Sequence, residues 1–242
     1  MNAFILAAGL GTRLKPWTLT HPKALVPVGG VPMLERVVLK LKSQGFDNIV
    51  VNVHHFASQI VDFLKGKDYG VRVSVSDETG RLLDTGGGLV KARGLFDFSC
   101  GPVLVHNVDI LSDADLGRLM GRHCSGGQDA TLLVSLRESG RKLVFGEGME
   151  LCGWHNLSDG RYRPSGFVPG SGCREYAFSG IHVVGEKCFW EMSRLFGDIA
   201  FPVMDYYLNP SKECVVRGSL EKSLRLIDIG KPATLLQADK MF

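Results

Sequence analysis

The residues best equipped for chemistry stand near the start of the chain, in the run Gly9-Leu10-Gly11-Thr12-Arg13-Leu14-Lys15-Pro16. It follows a short apolar stretch. Glycines after a buried strand let backbone N–H groups close on phosphate oxygens. Arg13 and Lys15 add fixed positive charge where a triphosphate would sit. The run is not a dinucleotide fingerprint, because its third glycine would fall at Leu14, and no Gly-Lys-Ser/Thr closes it as a P-loop. Further on, Pro22 and Pro27 stiffen the segment around Lys23, which suits a lysine that must meet a phosphate. A third group, Asp84-Thr85-Gly86-Gly87-Gly88, opens a helix. Its glycines permit backbone contact with a flat base or ribose, and a helix N-terminus favours anions.

Other chemistries find little support. His54-His55 has no carboxylate or cysteine at ligand spacing, and neither HExxH nor G-x-S-x-G occurs. Six cysteines, at positions 100, 124, 152, 173, 188 and 214, form no CxxC, so reduced thiols in a cytoplasmic protein are expected. The 28 basic and 25 acidic residues of the 242 leave a charge of +3, too small to announce a nucleic-acid partner. No apolar run approaches the ~18 residues of a membrane helix, and the N-terminus lacks the basic start of a signal peptide. Glycine is the outlier. Its 30 residues exceed the usual ~7% share, as tight turns and close ligand approach require.

These groups need a scaffold, and the pattern of elements supplies one. Residues 3–8, 48–53 and 102–106 are short continuous apolar runs, as buried parallel strands are. Between them, residues 33–44 place Leu34, Val37, Val38 and Leu41 on one helical face closed by Gly45, and Ala57, Ile60, Val61 and Leu64 repeat the spacing before Gly66. Residues 71–75 alternate as a strand, residues 87–96 read as a weaker helix, and Asp113 is expected to cap a helix carrying Leu116, Leu119 and Met120. Residues 130–136 and 176–184 are further strands. Residues 142–169 suggest β-ribbon and loops laid over the sheet. Helices are expected over 186–196 and 201–208, a last strand over 224–229, and a helix start at Pro232. The alternation predicts one α/β domain over residues 1–242, a Rossmann-like three-layer sandwich around a mostly parallel mixed sheet.

The blocks LAAGLGTRLKP (6–16) and PKALVPVGGVPMLE (22–35) resemble the signature of the sugar-phosphate nucleotidyltransferases, the pyrophosphorylases that make nucleotide sugars. LLDTGGGLVKA (82–92), VHNVD (105–109), FSGIHVV (178–184) and LIDIGKPATL (226–235) agree in order, so the resemblance runs along essentially the whole chain. It is nearest in look to the N-acetylmuramate-1-phosphate uridylyltransferase and mannose-1-phosphate guanylyltransferase types. The resemblance implies the nucleotide-diphospho-sugar transferase fold and a Mg2+-dependent reaction of a nucleoside triphosphate, UTP or GTP favoured, with a sugar-1-phosphate. Monomer and homodimer both stay open. Carried over residue by residue, it makes Arg13, Lys23 and Asp109 catalytic. Nucleotide binding falls to Ala8, Gly9, Gly11, Thr12, Arg13, Gly86 and Gly87. Ser179 and Gly180 contact the sugar, and Asp109 and Asp228 hold the metal. Val108 departs from the small residue usual before the metal aspartate. An Asp109 set among acids would also mean that removing its charge leaves stability unchanged or raised. Two other readings remain: a phosphocholine cytidylyltransferase, for which Trp154, Trp190, Tyr206 and Tyr207 are the candidate cage, and a catalytically silent nucleotide-sugar-binding regulatory subunit.

Overall fold

The computed structural model describes residues 1–230, 234, 235, 237 and 238; the helix start expected at Pro232 lies outside them. Its spine is four parallel strands in the order β5-β4-β1-β6: β1 (Asn2–Leu6), β4 (Asn48–Val53), β5 (Arg72–Asp77) and β6 (Val103–Asn107). Between β1 and β4 come a two-residue hairpin, β2 (Pro27–Val28) and β3 (Val31–Pro32), and helix α1 (Met33–Ser43). Gly29 and Gly30 turn that hairpin with φ of 55° and 75°, the pair of positive angles a type I′ turn requires.

The continuous apolar runs bury both faces of the sheet, as their sequence predicts. Ala3 and Ile5 of β1 face one apolar cluster with α1, α2 (Ala57–Lys65) and α4 (Leu116–Gly126). Phe4 faces the other, with α3 (Asp84–Ala92), α5 (Glu186–Phe196) and α6 (Val203–Tyr207). A sheet with both faces covered by helices is the three-layer sandwich expected.

Beyond β6 the sheet turns antiparallel. The eleven-residue β12 (Arg174–Val184) runs against β6, against β8 (Ala130–Ser135) and, at its start, against β9 (Arg141–Phe145). β13 (Val216–Leu220) then joins β8 in parallel. The glycine-rich stretch forms β9, β10 (Leu151–Asn156) and β11 (Arg161–Arg163), an antiparallel ribbon. It does not lie over the sheet. The Tyr176–Leu143 register bonds it into the sheet as an extension.

Three local differences bear on the site. β1 ends two residues earlier than its apolar run, because the N–H groups of Ala7 and Ala8 leave the ladder for the side chain of Asn52. α3 starts at Asp84, three residues before the expected start. The cap of α4 is Asp115, whose Oδ1 accepts from the Arg118 N–H at 2.8 Å. Asp113 instead pairs with Arg225, Nε to Oδ2 at 2.7 Å. A short strand, β7 (Ile110–Ser112), brings it there by pairing with β14 (Leu226–Asp228).

Candidate active site

Open parallel sheets bind ligands beyond the carboxyl ends of their strands, and a cavity of about 290 Å³ lies there. Its floor is residues 6–9 after β1, Asn52 of β4 and residues 107–109 after β6; Lys23 closes one side and Leu82, Asp84 and Thr85 the other.

The glycine turn divides its labour. Gly11 has φ +62°, and a Cβ there would stand 2.8 Å from Thr18 Cγ2 and 2.9 Å from Lys23 Cβ. Its carbonyl accepts from the Leu14 N–H and the Thr18 hydroxyl, both at 2.9 Å. Gly11 is thus demanded by the protein itself. Gly9 is not: its φ is ordinary and nothing lies within 4 Å of its missing Cβ. A glycine that the fold does not need, lining a cleft, leaves room for a ligand. Ala8 is buried beside it, and Thr12 and Arg13 are exposed on the short 3-10 turn that follows.

Lys23 opens another 3-10 turn behind Pro22, and its Nζ forms an ion pair with Asp109 Oδ2. The two side chains are 12% and 16% exposed, so the pair is largely shielded from water and from salt screening. The ion-pair partner of Asp109 is Lys23, so removing the carboxylate charge leaves that cation unpaired, and a loss of stability is expected in place of the unchanged or raised stability read from the sequence. Val108, the departure from the family pattern, is 4% exposed within the α1–α2–α4 cluster, with its N–H on the Leu6 carbonyl at 3.2 Å.

Asp228 sits on the neighbouring strand. Register sets it opposite Ile110, and the Ile229 N–H donates to the Asp109 carbonyl at 3.0 Å. Its Oδ1 accepts from the Gly230 N–H at 2.7 Å. A Cβ on Gly230 would lie 2.8 Å from both Asp228 Oδ1 and Arg13 Nη2, so Arg13 and Asp228 gather around that glycine. Asp228 lines a second cavity, of about 380 Å³, with Arg137 and Glu138. Burial lowers the pKa of the Arg137 guanidinium, and the charge of Asp228 partly offsets it. No group of three or more potential ligands occurs among the described residues. Asp109, in the turn before β7, and Asp228, on the β14 strand paired with β7, nevertheless offer two hard-oxygen carboxylates of the kind that suits Mg2+, which takes its remaining positions from phosphates and water.

The other sequence-derived residues turn inward. Gly86 and Gly87 give their N–H groups to the Phe201 carbonyl at 2.9 and 3.3 Å, and a Cβ on Gly86 would lie 2.2 Å from the Phe201 ring. The cleft wall in front of them is Asp84 and Thr85. Asp84 has φ 58°, uncommon outside glycine, with its Oδ1 accepting from the Thr85 N–H at 2.6 Å. Ser179 is fully buried and donates its hydroxyl to the Leu133 carbonyl at 2.7 Å, so its side chain is not presented to a sugar. Gly180, at φ +72°, makes room for Asn107: a Cβ would stand 2.8 Å from Asn107 Nδ2.

Sequence reasoning missed Asn52, Glu78 and Asn107. The available signal was a polar residue inside the apolar strand Asn48–Val53. Glu78 is fully buried, and burial pushes its carboxyl pKa up against hydrogen bonds from Asn52 and Leu83 that hold it down. His54 donates Nδ1–H to the Glu78 carbonyl at 2.7 Å, and His55 packs against Phe56 with the rings tilted by 49° and centroids 4.1 Å apart, a loop pair as read. The four aromatics form no cage. Tyr206 and Tyr207 are core residues, Trp190 lies under Arg93 on α5, and Trp154 is on β10.

Comparison with known proteins identifies the family and the fold. The nucleotidyl transferase family model matches residues 2–147, a span holding the glycine turn, Lys23, Asp84 and Asp109. N-acetylmuramate alpha-1-phosphate uridylyltransferase of Caulobacter vibrioides is 30% identical over 187 residues, covering 75% of this chain and 74% of that protein. A probable mannose-1-phosphate guanylyltransferase of Oryza sativa is 37% identical over 138 residues, covering 56% of this chain and 38% of its own length. The chain thus spans well under half the length of several curated relatives it matches. The crystal structure of HddC from Yersinia pseudotuberculosis superposes with a TM-score of 0.78 at 23% identity, over 99% of this chain and 98% of that one, which establishes the shared fold. The chain belongs to the nucleotidyl transferase family.

Proposed function

We propose that this protein joins a nucleoside triphosphate, UTP or GTP favoured, to a sugar-1-phosphate, releasing pyrophosphate. The observation that carries the reading is the shielded Lys23–Asp109 pair between a ligand-ready Gly9 and the Asp84–Thr85 wall. In the reaction a phosphate oxygen of the sugar-1-phosphate bonds to the α-phosphorus as the α–β bridging P–O bond breaks. The nucleophile is already ionised at neutral pH, so the chain need supply no strong base. What it supplies is charge and position. Lys23 exchanges its carboxylate partner for a phosphate oxygen, Arg13 adds charge from the exposed side of the turn, and the turn backbone at Gly9 closes on the triphosphate. Asp109 and Asp228 would hold Mg2+, which when bound screens the two polyanions and polarises the phosphoryl group. The names of the relatives support UTP or GTP as the donor. The six free cysteines suit a reducing, cytoplasmic setting.

The test is pyrophosphate release from the four nucleoside triphosphates, each crossed with a panel of sugar-1-phosphates and with phosphocholine. Release with UTP or GTP and a sugar-1-phosphate is the expected result. Release confined to CTP with phosphocholine, or none with any pair, would overturn the reading. Loss of turnover in excess chelator is the expected sign of the metal, and undiminished turnover would remove it.

A further inference from the structure

Asn52 is 2% exposed, and each polar atom of its side chain has a partner. Oδ1 accepts from the N–H groups of Ala7 at 2.6 Å and Ala8 at 3.2 Å, and Nδ2 donates to Glu78 Oε1 at 2.8 Å. Glu78 Oε2 accepts from the Leu83 N–H at 3.0 Å. The relay therefore begins at the residues that start the glycine turn and ends at the residue before α3. Those are the two walls of the cleft. Gly88, inside α3, is shaped to the relay: a Cβ there would lie 2.8 Å from Glu78 Oε1 and 3.1 Å from Asn52 Nδ2. No other buried side-chain pair among the described residues bonds to both walls.

We propose that Asn52 and Glu78 form a positioning pair that sets the spacing between the glycine turn and the Leu83–Thr85 wall, and so the seat of the nucleoside triphosphate. The donors and acceptors leave one consistent arrangement. Ala7, Ala8 and Leu83 offer backbone N–H groups, so both ends of the relay must accept. The amide–carboxylate link between them passes one N–H from residue 52 to residue 78. Buried polar atoms left without a partner are costly, so the link fixes both side chains in place. Asn52 lines the cleft floor, but its amide is committed to Ala7, Ala8 and Glu78, so the effect of the pair passes through Ala8 and Leu83.

The inference rests on the nucleotidyltransferase reading, and its test exploits the donor count. Glu78→Gln replaces an acceptor by a donor, which then faces either Asn52 Nδ2 or the Leu83 N–H. Asn52→Asp replaces the donor to Glu78 by an acceptor and sets two carboxylates face to face. The double variant Asn52→Asp/Glu78→Gln restores the pattern in reverse: the carboxylate introduced at position 52 accepts from Ala7, Ala8 and the new amide, while the amide oxygen accepts from Leu83. With UTP and GTP tried in parallel, each single variant is expected to raise KM for the triphosphate tenfold or more. KM for the sugar-1-phosphate should change less than threefold. The double variant should return to within threefold of wild type. Unchanged KM in the singles, or a folded double variant whose KM stays raised, would overturn the proposal. Amide hydrogen exchange of the wild type gives a second readout that needs no variant: on adding the triphosphate, Ala8 and Leu83 should gain protection together, and protection of one alone would count against a shared relay. A wild type that neither binds nor turns over UTP or GTP would instead overturn the underlying reading.

Discussion

At the scale of single residues, the two glycines of the turn part company in a way that experiment can separate. Gly11→Ala meets a positive φ and two contacts below 3 Å, so it is expected to lower stability by about 1–3 kcal/mol. Gly9→Ala meets neither, and its melting temperature should match wild type while affinity for the triphosphate falls. Thermal melts beside nucleotide titrations of both variants check this, and a destabilised Gly9→Ala would assign that glycine to the fold. Lys23→Met should lower kcat/KM by on the order of 10²-fold or more, as for other preorganised charge-stabilising groups. A rate within twofold of wild type would make Lys23 only the counter-ion of Asp109. Asp109→Asn is expected to abolish most transfer and to cost some stability, because it strands a lysine that is 12% exposed.

At the scale of elements, much of the frame was legible. The apolar stripe over 33–44 and the pattern over 186–196 became α1 and α5 with little change, because each buries one continuous face. The continuous apolar runs became the parallel strands for the same reason. What sequence could not show were contacts between distant segments. The last strand expected over 224–229 forms as β14, but its partner β7 is three residues long, too short for a periodicity signal, and it is their pairing that brings Asp228 beside Asp109. Asn52 and Glu78 are 26 residues apart, and no spacing rule joins them. The triple glycine was visible, but its cause was not: Phe201, from a segment more than a hundred residues later, packs where a Cβ would stand. Gly86→Ala is therefore expected to destabilise the fold by about 1–3 kcal/mol even without nucleotide present. Chemical unfolding of the free protein tests it, and a neutral result would return Gly86 to the ligand.

At the scale of the whole molecule, the sheet carries two histidines through its middle. His106 of β6 and His182 of β12 lie in neighbouring strands, and burial pushes their pKa values down to about 4 and about 3. Both lie below the ordinary value of 6.5, so as pH falls the unfolded chain takes up these protons first. Their contribution is fully present above pH 6.5 and lost below it, each at about 1.4 kcal/mol per pH unit until its folded pKa is reached. Neither ring nitrogen of His182 has a partner, and Phe178 and Tyr207 pack against it. His182→Leu should thus be neutral or stabilising at pH 7 and lose acid sensitivity by one proton; urea midpoints between pH 5 and 7 would show an unaltered slope if this is wrong. The sheet and its two cores exist, on this account, to hold one cleft in which a triphosphate is opened at its α-phosphorus. The most direct measurement follows that atom: a triphosphate labelled at the α-phosphorus is incubated with the protein and the sugar-1-phosphate selected by the screen. All of the consumed label should appear in the nucleotide sugar, with unlabelled pyrophosphate in equal amount. Label recovered as nucleoside monophosphate or diphosphate, or orthophosphate released in place of pyrophosphate, would contradict the account.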